Sequence, residues 1–289
     1  MAKVIEQYAG AQGRPVFLCD FSPPRGADLS SVEEAGLVGA DFLCVAYAPG
    51  KSVRVDSAIM AYELRRRTGK DVAFNLACRD MNKVAIQGHL LGAHLLRLEN
   101  VVVLRGDPFD QRDLASTRYV GDYQTTGLIK AIKELNKGVD FRGLKLRVPT
   151  DFCVGATLDL GRDLEREAEL ARRKVEAGAD FFLTQPIFEP GLAHRLMDTY
   201  RRMAGVSFPC PVFYGLHILH PEGLVLGDVP QGIRQDLERG RSGTEIALEL
   251  LRSFVESGLT GIYLVPPILR GGRRDYGAAR KVLEAFCGR

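Results

Sequence analysis

The feature that most constrains this chain is a unit that recurs along it. A short apolar run, rich in β-branched and aromatic residues, is cut off by a polar, proline or glycine turn, and a segment with apolar residues at helical spacing follows. Apolar runs without alternation read as strands buried on both faces, the condition of a parallel sheet covered by helices. On this reading the strands are Val16–Phe21, Phe42–Ala48, Val72–Cys78, Val101–Leu104, Phe152–Leu158, Phe181–Ile187, Val212–Leu219 and Gly261–Val265. The helices between them fall at Ser31–Gly39, Asp56–Thr68, Met81–Leu96, Thr126–Lys137, Leu164 to Gly178, Leu192–Met203, Ile246 to Gly258 and Tyr276–Phe286. Residues 1–14 read as a polar lead-in. Two connections, 108–125 and 220–242, are too long to be plain connectors, and the second holds a small helix near Gly232–Glu238.

Eight strand-helix alternations with no break in composition predict one (β/α)8 TIM barrel spanning residues 1–289 as a single α/β domain. A doubly wound open sheet would alternate in the same way, but a count of eight in a chain of 289 residues favours closure. With 46% hydrophobic residues the chain can bury a core of that size.

The net charge of +3 is spread over interleaved acidic and basic residues, which implies neither nucleic acid nor an anionic membrane as partner. No apolar run approaches a membrane span, and the start M-A-K-V-I-E-Q-Y lacks the apolar core of a secretory signal, so a cytoplasmic location is expected. The six cysteines show no C-x-x-C spacing and read as small buried thiols, mostly in strands. Only His217 and His220 resemble a metal-ligand pair, and without a third ligand no metal site is expected.

In a barrel the C-terminal strand ends share one mouth. That mouth collects Asp20 and Arg25, Tyr47, Asn75 and Arg79, Arg105 and Asp107, Thr157, Gln185 and His217 from the first seven strands in turn. The most informative ending is V-V-V-L-R-G-D-P-F at Val101–Phe109. A buried strand gains nothing in packing from Arg-Gly-Asp; Gly106 admits a close backbone approach, Arg105 is a planar fork of donors, and Asp107 can accept from an amide or amidine edge. A solvated turn with Arg105 and Asp107 paired to neighbours is the competing reading. The set has no Ser-His or Cys-His nucleophile and no G-x-G-x-x-G after a strand. It suits binding of a polar heteroaromatic with proton or hydride movement, with any nucleotide held by barrel loops.

D-F-S-P-P-R at Asp20–Arg25, V-V-L-R-G-D at Val102–Asp107 and R-K-V-E-A-G-A-D-F-F-L-T-Q at Arg173–Gln185 resemble, in order, the signatures of methylenetetrahydrofolate reductases. The resemblance runs from about residue 14 to the C-terminus and blurs over 220–242. It implies reduction of 5,10-methylenetetrahydrofolate to 5-methyltetrahydrofolate by NAD(P)H through bound FAD, with a tetrahydrofolate substrate and either a homo-oligomer or a partner in a reductase complex. It implies Asp20, Asp107 and Gln185 as the catalytic set, Asp20 standing where the family has a glutamate acid. Cofactor contacts are expected from Tyr47, Asn75, Arg105, Gly106, Asp107, Glu167, Arg173 and Lys174. The chain departs from the family at Ala46 for a threonine, Asn75 for a histidine and Leu170 for an asparagine, all at flavin contacts. Two alternatives follow: from these departures, a flavin-free reductase of the same fold, and from the changed acid at Asp20, a catalytically silent folate-binding subunit of a reductase complex.

Overall fold

A computed structural model describes residues 1–288. Eight parallel strands close into a barrel in sequence order: β1 Val16–Phe21, β2 Phe42–Val45, β3 Asp71–Ala77, β4 Asn100–Leu104, β5 Cys153–Leu158, β6 Phe181–Pro186, β7 Val212–His217 and β8 Gly261–Val265. The last strand pairs with the first through Val16↔Gly261 and Leu18↔Tyr263, which settles closure against the open sheet. Around the barrel, in order, run α1 Val4–Gly10, α2 Ser30–Gly36, α3 Ser57–Thr68, α4 Lys83–Leu95, α5 Gln111–Leu114, α6 Thr125–Asn136, α7 Leu164–Glu176, α8 Pro190–Ala204, α9 Gln231–Glu238, α10 Gly243–Glu256 and α11 Tyr276–Cys287.

The strands carry apolar residues on both faces because each face meets a separate core. Val16, Leu18, Phe42, Cys44, Ala73, Val102, Cys153, Phe181, Leu183 and Phe213 fill the barrel interior. Phe17, Cys19, Phe21, Leu43, Val45, Phe74, Val101, Val154 and Phe182 pack outward under the helices. Gly155 is set by interior packing: a Cβ there would lie 2.5 Å from the Phe181 ring.

Residues 1–14 are not a lead-in. Residues 4–10 form α1, and Val4 and Ala11 belong to the interior cluster, closing the N-terminal end of the barrel. Asn100 holds this plug, its Oδ1 accepting from the Val4 amide at 3.0 Å and its Nδ2 donating to the Ala2 carbonyl at 3.0 Å. Two buried positions seven residues apart, among Lys3, Glu6 and Gln7, are too few to announce a helix in advance.

β2 stops at Val45, three residues before the expected end, because Ala48 turns left-handed (φ 37°) ahead of Pro49. In β6 the expected T-Q-P segment produces an irregularity: the register with β7 shifts between Leu183 and Pro186, and the Thr184 hydroxyl accepts from the Gly215 amide at 2.8 Å. A bulge of this kind re-aims a side chain, and Gln185 is exposed between buried neighbours.

Candidate functional site at the barrel mouth

At the C-terminal ends the apolar interior gives way to polar residues, and these fall into two groups of different character. One group is built on β1, β7 and β8. Asp20 occupies the inward position above Leu18 and is only 5% exposed. Tyr263 donates its hydroxyl proton to Asp20 Oδ1 at 2.8 Å, and Arg274, from the turn after β8, donates Nε to Asp20 Oδ2 at 2.7 Å. Arg274 also donates Nη1 to the Gly272 carbonyl. Burial alone would lower the Arg274 pKa, but the charge of Asp20 and the hydrogen bond to it reverse the direction, so the guanidinium is held more firmly protonated. Tyr263 is pushed well up by burial and by the Asp20 charge, which keeps its proton on as a donor.

His217 completes this group at the end of β7. It pairs with Val265 across β8, and Asp20 lies at the same level on the other side. The Leu226 amide donates to its Nδ1 at 3.4 Å. Burial first, and Arg274 second, push its pKa down to about 4, so the ring is neutral. Desolvation penalises the imidazolium and a neighbouring guanidinium repels it. His220 turns its own Nδ1 to the Glu222 amide, and no group of metal-ligating side chains forms among the described residues.

The second group belongs to β2, β3 and β4. Arg79, just past β3, is buried and grips Asp80 through Nε at 2.6 Å and Nη2 at 2.9 Å. Its Nη1 donates to the Asp107 carbonyl at 2.9 Å, and its guanidinium lies 4.4 Å from the Phe109 ring centre. Tyr47 joins through Asp80; burial and that carboxylate push its phenol up. Gly106 is left-handed (φ 83°), and a Cβ would meet the Arg79 Cβ at 3.0 Å and the Ala77 Cβ at 3.3 Å. The close approach that Gly106 permits is therefore to the end of β3. Arg105 and Asp107 are exposed, and neither side chain is hydrogen-bonded or ion-paired among the described residues. Of the two readings of this turn, the solvated one holds for exposure but the neighbour pairing is missing. Beyond it, Lys51 reaches Asp110 at 3.1 Å and also Asp113, tying the β2–α3 turn to α5 within the long 108–125 connection.

Asn75 faces the interior, 8% exposed, with Oδ1 accepting from the Cys44 thiol at 3.4 Å. On α7, Glu167 and Lys174 are both buried, and Arg173 beside them is exposed. Lys174 donates to the Thr157 carbonyl at the end of β5, and Glu167 accepts from the Asp159 amide at 3.1 Å. Their charged groups are 4.0 Å apart. Burial lowers the lysine and raises the glutamate, each shift opposed by the other's charge. These two brace the turn after β5, one wall of a cleft of about 560 Å3 lined by Asp159, Gly161, Gln185, Phe188, Asp228 and their neighbours. Gln185 is the expected site residue that opens into this cleft. Arg25 is exposed on the turn beyond Pro23-Pro24, beside Arg54.

Sequence reasoning missed Tyr263 and Arg274. The inward register of Tyr263 in G-I-Y-L-V was an available signal, since a buried phenol needs a partner. Arg274 sits in R-G-G-R-R-D, where nothing separates it from Arg270 and Arg273 before the turn is folded.

The family model described as methylenetetrahydrofolate reductase matches residues 4–265. Among curated proteins, methylenetetrahydrofolate reductase 1 of Schizosaccharomyces pombe is 23% identical over 67% of this chain and 33% of its own length. A probable NADH-dependent methylenetetrahydrofolate reductase of Oryza sativa is 22% identical over 91% of this chain and 48% of its own. The chain thus spans about half or less of the curated relatives it matches. Among solved structures, an uncharacterized Clostridium thermocellum protein that binds two copies of 5-methyl-5,6,7,8-tetrahydrofolic acid superposes with a TM-score of 0.65 at 12% identity, covering 98% of each chain; that likeness is one of fold.

Proposed function

Because the chain belongs to the methylenetetrahydrofolate reductase family, we propose that it reduces 5,10-methylenetetrahydrofolate to 5-methyltetrahydrofolate with electrons from NAD(P)H. The observation that carries this reading is the mouth itself: Asp20, Asp107 and Gln185 stand at three strand ends of one barrel in a chain matched by the family over residues 4–265.

Before hydride can be accepted, the methylene bridge must open to an iminium, and opening needs a proton at a ring nitrogen. Asp20 handles that proton. In the arrangement described, both of its oxygens accept, so Asp20 becomes a donor only after Tyr263 or Arg274 has released it and a proton has been taken up. Until then its charge stabilises the cationic iminium. Asp107, exposed beside the held Arg79, accepts from the amide and amine edge of the pterin. Gln185, re-aimed by the bulge in β6, offers both a donor and an acceptor to whichever substrate occupies the cleft.

The polar groups fit FAD in part. Arg105, Asp107 and Arg173 are exposed and carry no partner among the described residues, which suits a dinucleotide with a pyrophosphate. Tyr47, Asn75, Glu167 and Lys174 already have internal partners and act as support behind them. The chemistry FAD supplies when bound is a two-electron relay between nicotinamide and folate. That internal engagement, with Ala46 and Leu170 at two further contacts, favours one second reading: a flavin-free reductase in which nicotinamide passes hydride directly to folate.

Anaerobic oxidation of NADH or NADPH by the purified chain, dependent on methylenetetrahydrofolate, tests the reaction. Tight folate binding without turnover by any donor would instead identify a silent folate-binding subunit. A flavin spectrum retained through gel filtration after incubation with FAD supports the relay. A colourless protein that turns over overturns it.

A further inference from the structure

Four buried side-chain polar atoms have no hydrogen-bond partner among the described residues: Ser22 Oγ, His89 Nε2, His94 Nδ1 and His217 Nε2. The two on α4 lie outside the barrel, their rings packed edge-on against Phe74 and Phe152. Of the other two, one follows Asp20 closely in the chain and one lies level with it across β8. Ser22 is two residues further along the same strand direction, its amide donating to the Tyr276 hydroxyl at 3.3 Å while its own hydroxyl is unmatched. His217 faces the same space from β7, on the far side of β8.

His217 is the more telling of the pair because its protonation is fixed by its surroundings. With Nδ1 accepting from Leu226, the single proton of the neutral ring sits on Nε2, and that N–H is buried with nothing to donate to. Folded proteins rarely leave a buried donor unmatched, since it forfeits its bonds to water and gains none in return. The groups facing it are Arg274, which only donates, and Asp20, whose two oxygens are hydrogen-bonded to Tyr263 and Arg274 and not to His217. The complement of this space is an uncharged acceptor placed next to the Asp20 carboxylate.

We infer that His217 is a substrate-contacting residue whose Nε2–H donates to a ring nitrogen or carbonyl oxygen of the folate heterocycle, holding it against Asp20, with Ser22 Oγ as a second contact. This rests on the proposed reductase function and adds to it a contact outside the motifs that carry the family resemblance. His217 does not supply the reaction's proton: its charged form is disfavoured, and a neutral imidazole N–H is too weak an acid to protonate an amine. Its part is to bind the heterocycle, equally in the ground state and the transition state. Nε2 is buried, so the acceptor meets it only when the residues around the ring move aside. The segment bonded to its other nitrogen is held by the Leu226 contact and by the Leu224 amide on the Ile268 carbonyl.

The test uses the full chain and 5-methyltetrahydrofolate. In protein labelled with 15N-histidine, whose five imidazoles give a tractable spectrum, the His217 Nε2 proton should move downfield and exchange more slowly when the folate is added. His217→Phe, which keeps a ring and removes the donor, should raise the KM for methylenetetrahydrofolate about tenfold with kcat within about twofold, and His217→Gln should recover part of the loss. If wild type binds the folate while the His217 signals stay in place, the inference is overturned and the reductase reading stands. If wild type neither binds nor turns over folate, the reductase reading falls and the inference with it. Should His217→Phe fail to fold, the wild-type spectra decide alone.

Discussion

The two halves of the mouth are built on opposite principles. Around β1, β7 and β8 the functional groups are buried: Tyr263 and Arg274, far away in sequence, are bonded to Asp20 and fix its geometry, and His217 faces them with its Nε2 unpartnered. Around β2, β3 and β4 the buried part is scaffolding, Arg79 with Asp80, and the groups presented outward, Arg105 and Asp107, are free. Charges work harder in the low dielectric of the first half, where a misplaced partner is also costlier. The second half presents adaptable contacts to something large and polar. On the proposed function, the difference predicts that changing Asp20 in the first half alters chemistry and stability together, whereas changing the exposed side chains of the second alters binding with little effect on stability.

The sharpest way to break this comparison is at Asp20. Asp20→Asn should lower turnover by about two to four orders of magnitude and also destabilise the fold by about 3 kcal/mol, because Arg274 is left buried without its counter-charge. Combining it with Arg274→Met should return most of the stability and none of the turnover. Kinetics beside urea midpoints on both variants check this. A stable, inactive Asp20→Asn protein would mean that the two roles separate after all.

His217 gives the next effect. Its pKa is depressed from 6.5 to about 4 in the folded state, so between those values the unfolded chain binds a proton that the folded chain refuses. Stability from this group is therefore complete above about pH 6.5 and is lost as pH falls toward 4, by about 3 kcal/mol in all. Urea midpoints from pH 7 to pH 5 should fall in wild type and fall less in His217→Gln.

On the open side the effects are smaller and of another kind. Asp107→Asn should weaken folate binding and turnover by about tenfold to a hundredfold while leaving the thermal midpoint in place, as befits an exposed side chain. Gly106→Ala should cost about 1 to 2 kcal/mol, from the positive φ and the 3.0 Å contact with Arg79. A neutral Gly106→Ala would show that the turn is looser than its contacts imply.

The barrel was legible because its strands are unambiguous: Val16–Phe21 and Gly261–Val265 keep the same ends in sequence and structure. Such runs are buried on both faces and have no other use. The places of Asp20, Asp107 and Gln185 at the mouth were legible because each puts at or just past the end of a buried strand a group that packing does not want. Arg274 was not, since its role is set by a turn that brings it back over β1, and a run of arginines carries no mark of which one returns. The partners of Lys174 and Glu167 were hidden for the opposite reason. Charges at the two ends of a helix are ordinary dipole partners, and only the folded α7 shows them turned inward together.

The plug formed by α1 bears on how the chain reaches this state. Its Val4 amide is held by Asn100 on β4, and its Tyr8 hydroxyl meets Thr260, 252 positions away at the threshold of β8. A segment that precedes every strand in the chain therefore has no finished seat until the last strand is in place. Its docking belongs to the closing stage of folding, where contacts distant in sequence repay the loops that join them. A fluorescent label on this helix would report ring completion, and would stay silent on any intermediate whose β1–β8 seam is still open.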